Sequence, residues 1–392
     1  MMVQHIRLND ICEVLNGYAF KSSKYVDKGI RVIRITNVQK GYIEDDAPQY
    51  YPQENKKEIE RYMLQEGDLL MSLTGNVGRV AILKKEMLPA ALNQRVACLR
   101  LKKSANIYKP YLFHLLNSDF FENQCMFSAQ GIAQKNMSTE WLREYRIPLY
   151  SIERQKNIAD LFDQVDALVD RRKRQKCKLE ELVKSRFMEL FGDLVIGNKI
   201  NTNRQKIGEI ASVTKLAGFE FTKYIQYKEQ GDIIMLRGLN CKKGCLILDD
   251  VKWIDKETSD LLPRSKLYYG DILMTYVGTI GDVAMVDADD KYHLAPNVAK
   301  ITLNNKKEIN PIFLMHLFMY TNDYIMTFSS VVAQASINME KIRNFEYFFP
   351  SVEMQNQFAA FVVQTDKSKL AIQKSLKELE TLKKSLMQQY FG

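Results

Sequence analysis

Cysteine and histidine are scarce, and their spacing is uninformative for chemistry. The six cysteines, Cys12, Cys98, Cys125, Cys177, Cys241 and Cys245, are too few and scattered in 392 residues for a disulfide framework, and no CxxC occurs. A reducing cytosol is therefore expected. The one close pair, Cys241 and Cys245 in CKKGC, lacks a second ligand pair at zinc-finger spacing, and His5, His114, His293 and His316 stand apart. No metal site is expected. Long apolar runs are also missing: the most apolar stretch, 311–328, is interrupted by His316, Asn322 and Asp323, and the opening MMVQHIRLNDICEV carries charges where a signal peptide needs an apolar core. Neither secretion nor membrane spanning is expected.

Catalytic signatures are absent as well. There is no GxxxxGK[ST] phosphate loop, GxSxG, HExxH or GxGxxG, and no Asn-Pro-Pro-aromatic tetrapeptide of the amino-methyltransferase kind. TGNVG and VGTIG lead into apolar strands without a lysine or a helix start, so they read as turns. A metal-nuclease set forced from Asp46, Glu54 and Lys56 would rest on a polar, proline-containing loop (DDAPQYYPQENKKE) with no counterpart later in the chain.

What is present begins with charge. The 56 Lys+Arg against 47 Asp+Glu give a net charge of +9, which favours polyanionic partners. The excess sits in the first half: residues 1–192 hold 31 basic and 24 acidic side chains, residues 193–392 hold 25 and 23. The length is about two to three times that of a typical domain, so at least two domains are expected.

The chain is written twice, at an offset of about 200 residues. GDLLMSLTGNVGRVAIL (67–83) matches GDILMTYVGTIGDVAMV (270–286), and Arg34, Asn37 and Gly41 fall over Arg237, Asn240 and Gly244. AQKNM (133–137) answers ASINM (335–339), Pro148 answers Pro350, and Phe191-Gly192 answers Phe391-Gly392. Each unit is a mixed α+β segment followed by a long helix, dividing the chain into 1–150, 151–192, a linker at 193–202, 203–350 and 351–392. Strands are predicted over 30–35, 69–73, 79–83, 233–236, 272–276 and 282–286, and proline-opened helices from Pro110 and Pro311.

Residues 153–190 and 353–390 contain neither Gly nor Pro and are rich in Leu, Lys, Glu and Gln. At about 1.5 Å per residue each helix is on the order of 57 Å long, too long to bury its apolar stripe on one small domain. Each is therefore expected to pair with the other through Val165, Val169, Leu179, Val183 and Leu190 on one side and Ile372, Leu376, Leu379, Leu386 and Tyr390 on the other. The first seam is weakened by Arg172, Lys176 and Arg186, where the second has Ile372, Leu376 and Leu386. Parallel and antiparallel pairings are both sterically possible. The antiparallel one has the advantage that two inverted domains match the local twofold symmetry of a duplex.

Polar donors cluster in the predicted loops, as base-edge and phosphate contacts require. In the first domain these are Lys21, Asn37, Gln39, Lys40, Thr74, Asn76, Arg79, Asn93, Gln94, Arg95, Gln134, Lys135 and Asn136. In the second they are Lys223, Arg237, Asn240, Lys242, Lys243, Thr279, Asn297, Gln334, Ser336 and Asn338. Aligned loop positions differ (Gln39-Lys40 against Lys242-Lys243, Asn76 against Thr279, Arg79 against Asp282), which suggests two domains reading different sequences. The run RRKRQKCK (171–178) places six cations in eight residues, either a solvated helix face or a phosphate contact.

This layout, with its duplicated GD-apolar-xxG-xxG hairpin, its NM tract before a proline, and helices that start with ERQ or EMQ and end in Phe-Gly, resembles the DNA specificity (S) subunit of Type I restriction-modification systems. The resemblance spans essentially the whole chain. It implies two target recognition domains, each gripping half of a bipartite, asymmetric duplex site, and an antiparallel coiled coil that sets the spacer and docks two modification subunits. It further implies that S-adenosylmethionine, ATP and Mg belong to the modification and restriction subunits, and that this chain supplies no catalytic residue. The alternatives are a coiled-coil protein adaptor, whose binding would ignore DNA and salt, and a self-contained DNA-modifying enzyme, which would act alone.

Overall fold

The computed structural model describes residues 4–129, 136–197, 203–331 and 335–392. The chain forms two compact units: one of Met1–Lys173 with Gln373–Gly392, the other of Arg174–Ile372. The boundary between them falls inside both long helices.

In the first unit, apolar runs build a four-stranded antiparallel sheet in the order Cys12–Asn16, Val96–Leu101, Leu69–Ser72, Val80–Ile82. A second sheet orders Tyr50–Tyr51, Ile30–Ile33 and Ala90–Leu92, the last two running parallel. Strands Gln4–Arg7 and Arg146–Leu149 pair antiparallel and bring the domain's two ends together. Helices Lys109–Leu116 and Asp119–Ser128 bury Leu112, Leu116 and Phe121 in the core shared with the first sheet. Proline stands in the first turn of one, and the Ser118 hydroxyl caps the other by accepting from Phe121 N–H.

The second unit repeats the plan. Ala211–Lys215, Val298–Leu303, Ile272–Thr275 and Val283–Met285 form the four-stranded sheet, and Asn203–Lys206 pairs with Glu346–Phe349 as the closing ribbon. It adds a helix, Gly218–Tyr224, where the first unit has only the short turn Ser22–Lys24. The repeated Gly-Asp pair has a local reason: Asp68 and Asp271 are buried, and each carboxylate accepts the N–H three residues earlier, of Gln65 (2.8 Å) and of Tyr268 (2.9 Å).

The long helices run unbroken over Ile152–Phe191 and Val352–Phe391. Their pairing is antiparallel. In the first unit Phe162 stacks on Phe391 at 5.3 Å, and one turn further along the first helix Asp166 pairs with Lys383, earlier in the second. In the second unit Phe358 meets Phe187 at 5.3 Å and Phe191 at 5.7 Å. Val165, Val169 and Val183 are buried, whereas Leu179, Leu190, Ile372, Leu376, Leu379, Leu386 and Tyr390 are half-buried. The seam is thus driest toward the helix ends, in rings and side chains outside the expected stripe: Phe187, Met387, and the terminal Phe191 and Phe391.

Each helix start is pinned in the same way. Gln155 is fully buried, donates to Tyr150 O (2.8 Å) and accepts from Tyr108 N–H (2.7 Å); Gln355 does the same with Pro350 O and Asn310 N–H, both at 2.9 Å. The tripeptides ERQ and EMQ therefore mark a lock between the helix and the proline-opened helix of its own domain. The expected linker is a structured turn over its first residues. Asp193 Oδ1 accepts from Val195 N–H and Ile196 N–H, and buried Leu194 accepts from Phe348 N–H through its carbonyl at 2.8 Å. Residues 198–202 of that linker lie outside the described residues.

Candidate nucleic-acid interface

Each domain presents a glycine-turned hairpin beside a second loop. In the first, Ser72 N–H and Arg79 O, and Gly78 N–H and Ser72 O, close the hairpin around Thr74 and Asn76. Gly41 N–H donates to Val80 O at 2.8 Å and holds the 36–44 loop alongside. Arg79 donates to Gln39 Oε1, and Gln39 Nε2 donates to Glu44 Oε2 and Thr36 O, both at 3.0 Å. Arg95 O accepts from Leu73 N–H, and Asn136 bridges Thr74, so Gln39, Thr74, Asn76, Arg79, Arg95 and Asn136 come together. Lys21 and Gln94 are exposed, and Asn93 accepts from Arg95 N–H. Lys40 instead bridges Asp119 (2.8 Å) and Glu122 (2.7 Å), which raise its pKa against the opposing cost of burial.

In the second domain Arg237, Lys242, Thr279 and Asn297 line one open cleft of about 660 Å³, together with Phe221, Tyr227 and Asp282. Lys243 turns the adjoining hairpin, and Gly244 N–H donates to Val283 O at 2.8 Å, as Gly41 does to Val80. Lys223 is exposed with its ammonium 5.0 Å from the Tyr224 ring. Ser336 pairs with Ser330 and bridges Val277. Gln134, Lys135 and Gln334 lie outside the described residues.

Three expected readers also hold their own turns together. Asn37 accepts from Arg34 N–H (2.9 Å) and donates to Glu44 O (2.8 Å), so both ends of its amide are used in a buried turn. Asn240, fully buried, accepts from Arg237 N–H and donates to Ile247 O and Asp250 O. Asn338 caps the helix Met339–Arg343 by accepting from Lys341 N–H at 2.8 Å. Arg237 is tied to Asp250 at 2.8 Å. Tyr42, Leu239 and Phe219, on the same loops and the added helix, are exposed as well; polar-donor chemistry does not single them out, whereas an apolar side chain in a glycine- and lysine-rich turn does.

Among the described residues no group of His, Cys, Asp or Glu is placed to hold a metal, and no helix is long and apolar enough to cross a membrane. The family model of the Type I restriction modification DNA specificity domain matches residues 2–181 and again 201–383. The chain belongs to that family. Among similar specificity subunits are the EcoBI subunit of Escherichia coli, 24% identical over 98% of this chain and 85% of the relative, and the putative MjaX subunit of Methanocaldococcus jannaschii, 25% identical over 97% and 90%. The fold matches an S subunit from M. genitalium with a TM-score of 0.54 at 12% identity, covering 100% of this chain and 96% of that one. It also matches a chain from a study of type I restriction-modification complex assembly, with a TM-score of 0.62 at 15% identity and coverage of 99% and 97%. The family is one of specificity subunits, and the two matched segments coincide with the two written copies.

Proposed function

We infer that the chain reads a bipartite, asymmetric duplex site, one half per domain, and directs partner subunits to it. The observation that carries this reading is the pair of hairpin-and-loop faces. They share a backbone frame, held by Gly41 and Gly244, yet present Gln39, Asn76 and Arg79 in one domain and Lys242, Thr279 and Asp282 in the other. Two copies of one enzyme site would keep the same functional groups; two readers of different half-sites would not. The antiparallel helices would fix the spacer and dock two modification subunits, which bring S-adenosylmethionine and methylate adenine at N6. Restriction subunits would add ATP- and Mg-dependent translocation and cleavage. The work would take place in the cytoplasm, and this chain would contribute recognition alone. The test is to co-express the chain with its modification subunits and map N6-methyladenine across the host genome, with and without exchange of residues 1–150 for another recognition domain. One half of the methylated motif is expected to change while the other half and the spacer stay. An unchanged motif overturns the reading.

A further inference from the structure

The glycine that closes each hairpin is followed by a residue with the same backbone setting and the opposite charge. Arg79 N–H donates to Ser72 Oγ at 3.0 Å, and Asp282 N–H donates to Thr275 Oγ1 at 3.1 Å. The glycines before them, Gly78 and Gly281, have φ of 85° and 83°. A Cβ added at Gly281 would lie 1.9 Å from Asn322 Oδ1, so the turn is fixed on that side too. The frame thus delivers position 79 and position 282 equivalently, and only the side-chain chemistry differs.

Arg79 is half-buried and braced by Gln39, which is itself held by Glu44 and Thr36; an aimed guanidinium loses little freedom on binding. Asp282 is half-buried at the cleft shared with Lys242, Thr279 and Asn297, and among the described residues its carboxylate makes no hydrogen bond or ion pair. An unpaired carboxylate in a duplex-reading cleft is repelled by phosphates, so it needs a compensating donor. A carboxylate only accepts and a guanidinium only donates. On base edges in the major groove, paired acceptors belong to guanine (O6 and N7), and donors are the amino groups of cytosine N4 and adenine N6.

We propose that this hairpin position is a specificity-determining residue of each domain, with Arg79 reading a guanine in one half-site and Asp282 an amino-bearing base, cytosine or adenine, in the other. The proposal rests on the duplex-reading function inferred above and names the group that selects the base.

The test uses the full chain co-expressed with its modification subunits in a host without other adenine-N6 methylation, comparing wild type, Arg79→Lys and Asp282→Ala. Thermal midpoints confirm folding, and binding of purified complexes to duplexes substituted one base pair at a time gives a second readout. Arg79→Lys keeps the charge but loses the rigid planar fork of donors, and is expected to weaken discrimination at one guanine by about ten-fold or more. Asp282→Ala is expected to do the same at one cytosine or adenine of the other half-site. Each variant leaves the remaining half-site as its internal control. Discrimination unchanged in both variants, relaxation at a thymine, or both effects in one half-site overturns the proposal. A wild-type chain that directs no bipartite methylation would instead overturn the inferred function.

Discussion

At the scale of single residues, Asn37 and Asn240 carry the most useful lesson about the site. They are aligned between copies, and their side chains are good base readers in principle, yet both are spent on backbone groups of their own turn. In a duplicated reader with two targets, what the copies share is frame, and what they exchange is a candidate for recognition. The sequence alone held that distinction at Arg79 and Asp282, but donor chemistry drew attention to the identical asparagines as well. Asn240→Ala leaves buried partners unsatisfied and is expected to cost about 1–3 kcal/mol, read as a lowered denaturation midpoint. His316 supplies a second prediction. It is buried against Phe358 and Tyr320, and burial pushes its pKa down to about 4. Below its ordinary value near 6.5 the unfolded chain takes up a proton that the folded chain refuses. Stability contributed by the neutral ring is thus fully present at pH 7 and lost as pH falls toward 4, by about 3 kcal/mol at most. Denaturant titrations between pH 7 and 4 should show this, and His316→Phe should flatten the slope, leaving the share of buried His293, whose pKa is lowered by burial too.

At the scale of elements, the long helices were the most legible feature, because forty residues without Gly or Pro and with a recurring apolar stripe leave little alternative. The stripe by itself has no arrow, so their antiparallel direction came from the symmetry of a duplex and from the family resemblance; rings at particular ends show it. Phe191 packs on Phe313 at 5.0 Å and Phe391 on Tyr111 at 5.7 Å, each helix ending inside the core of the other copy's domain. Phe191→Ala and Phe391→Ala are each expected to cost about 3–5 kcal/mol, the first loosening the second unit and the second the first, as hydrogen exchange would show. The cation run at 171–178 makes a separate prediction. Arg171, Lys173 and Lys178 are exposed, and if they meet phosphates, replacing all three with alanine weakens binding uniformly across sequences. The slope of log affinity against log salt should then shrink by about one for each lost contact. An unchanged slope would mark them as a solvated face.

At the scale of the whole molecule, the repeat was written plainly, but the division into units was not. Self-similarity suggested a domain followed by its own helix. The structure divides the chain inside both helices, so that Gln373–Gly392 belongs with Met1–Lys173. Sequence order could not show this, because the contacts that decide it, such as Asp166 with Lys383, join residues far apart in the chain. Removing residues 383–392 is therefore expected to lower the stability of the first unit far more than that of the second, as limited proteolysis would reveal by early cuts within residues 4–129.

Phe391 also sets a timetable. Because Tyr111 and Phe162 finish their packing only against Phe391, a ring made long after them in the chain, the first domain is completed after the second. During synthesis it waits with an unfilled apolar hollow, while the second domain receives Phe191 from a helix already made. The half that leaves the ribosome earliest is thus the one that needs shelter longest.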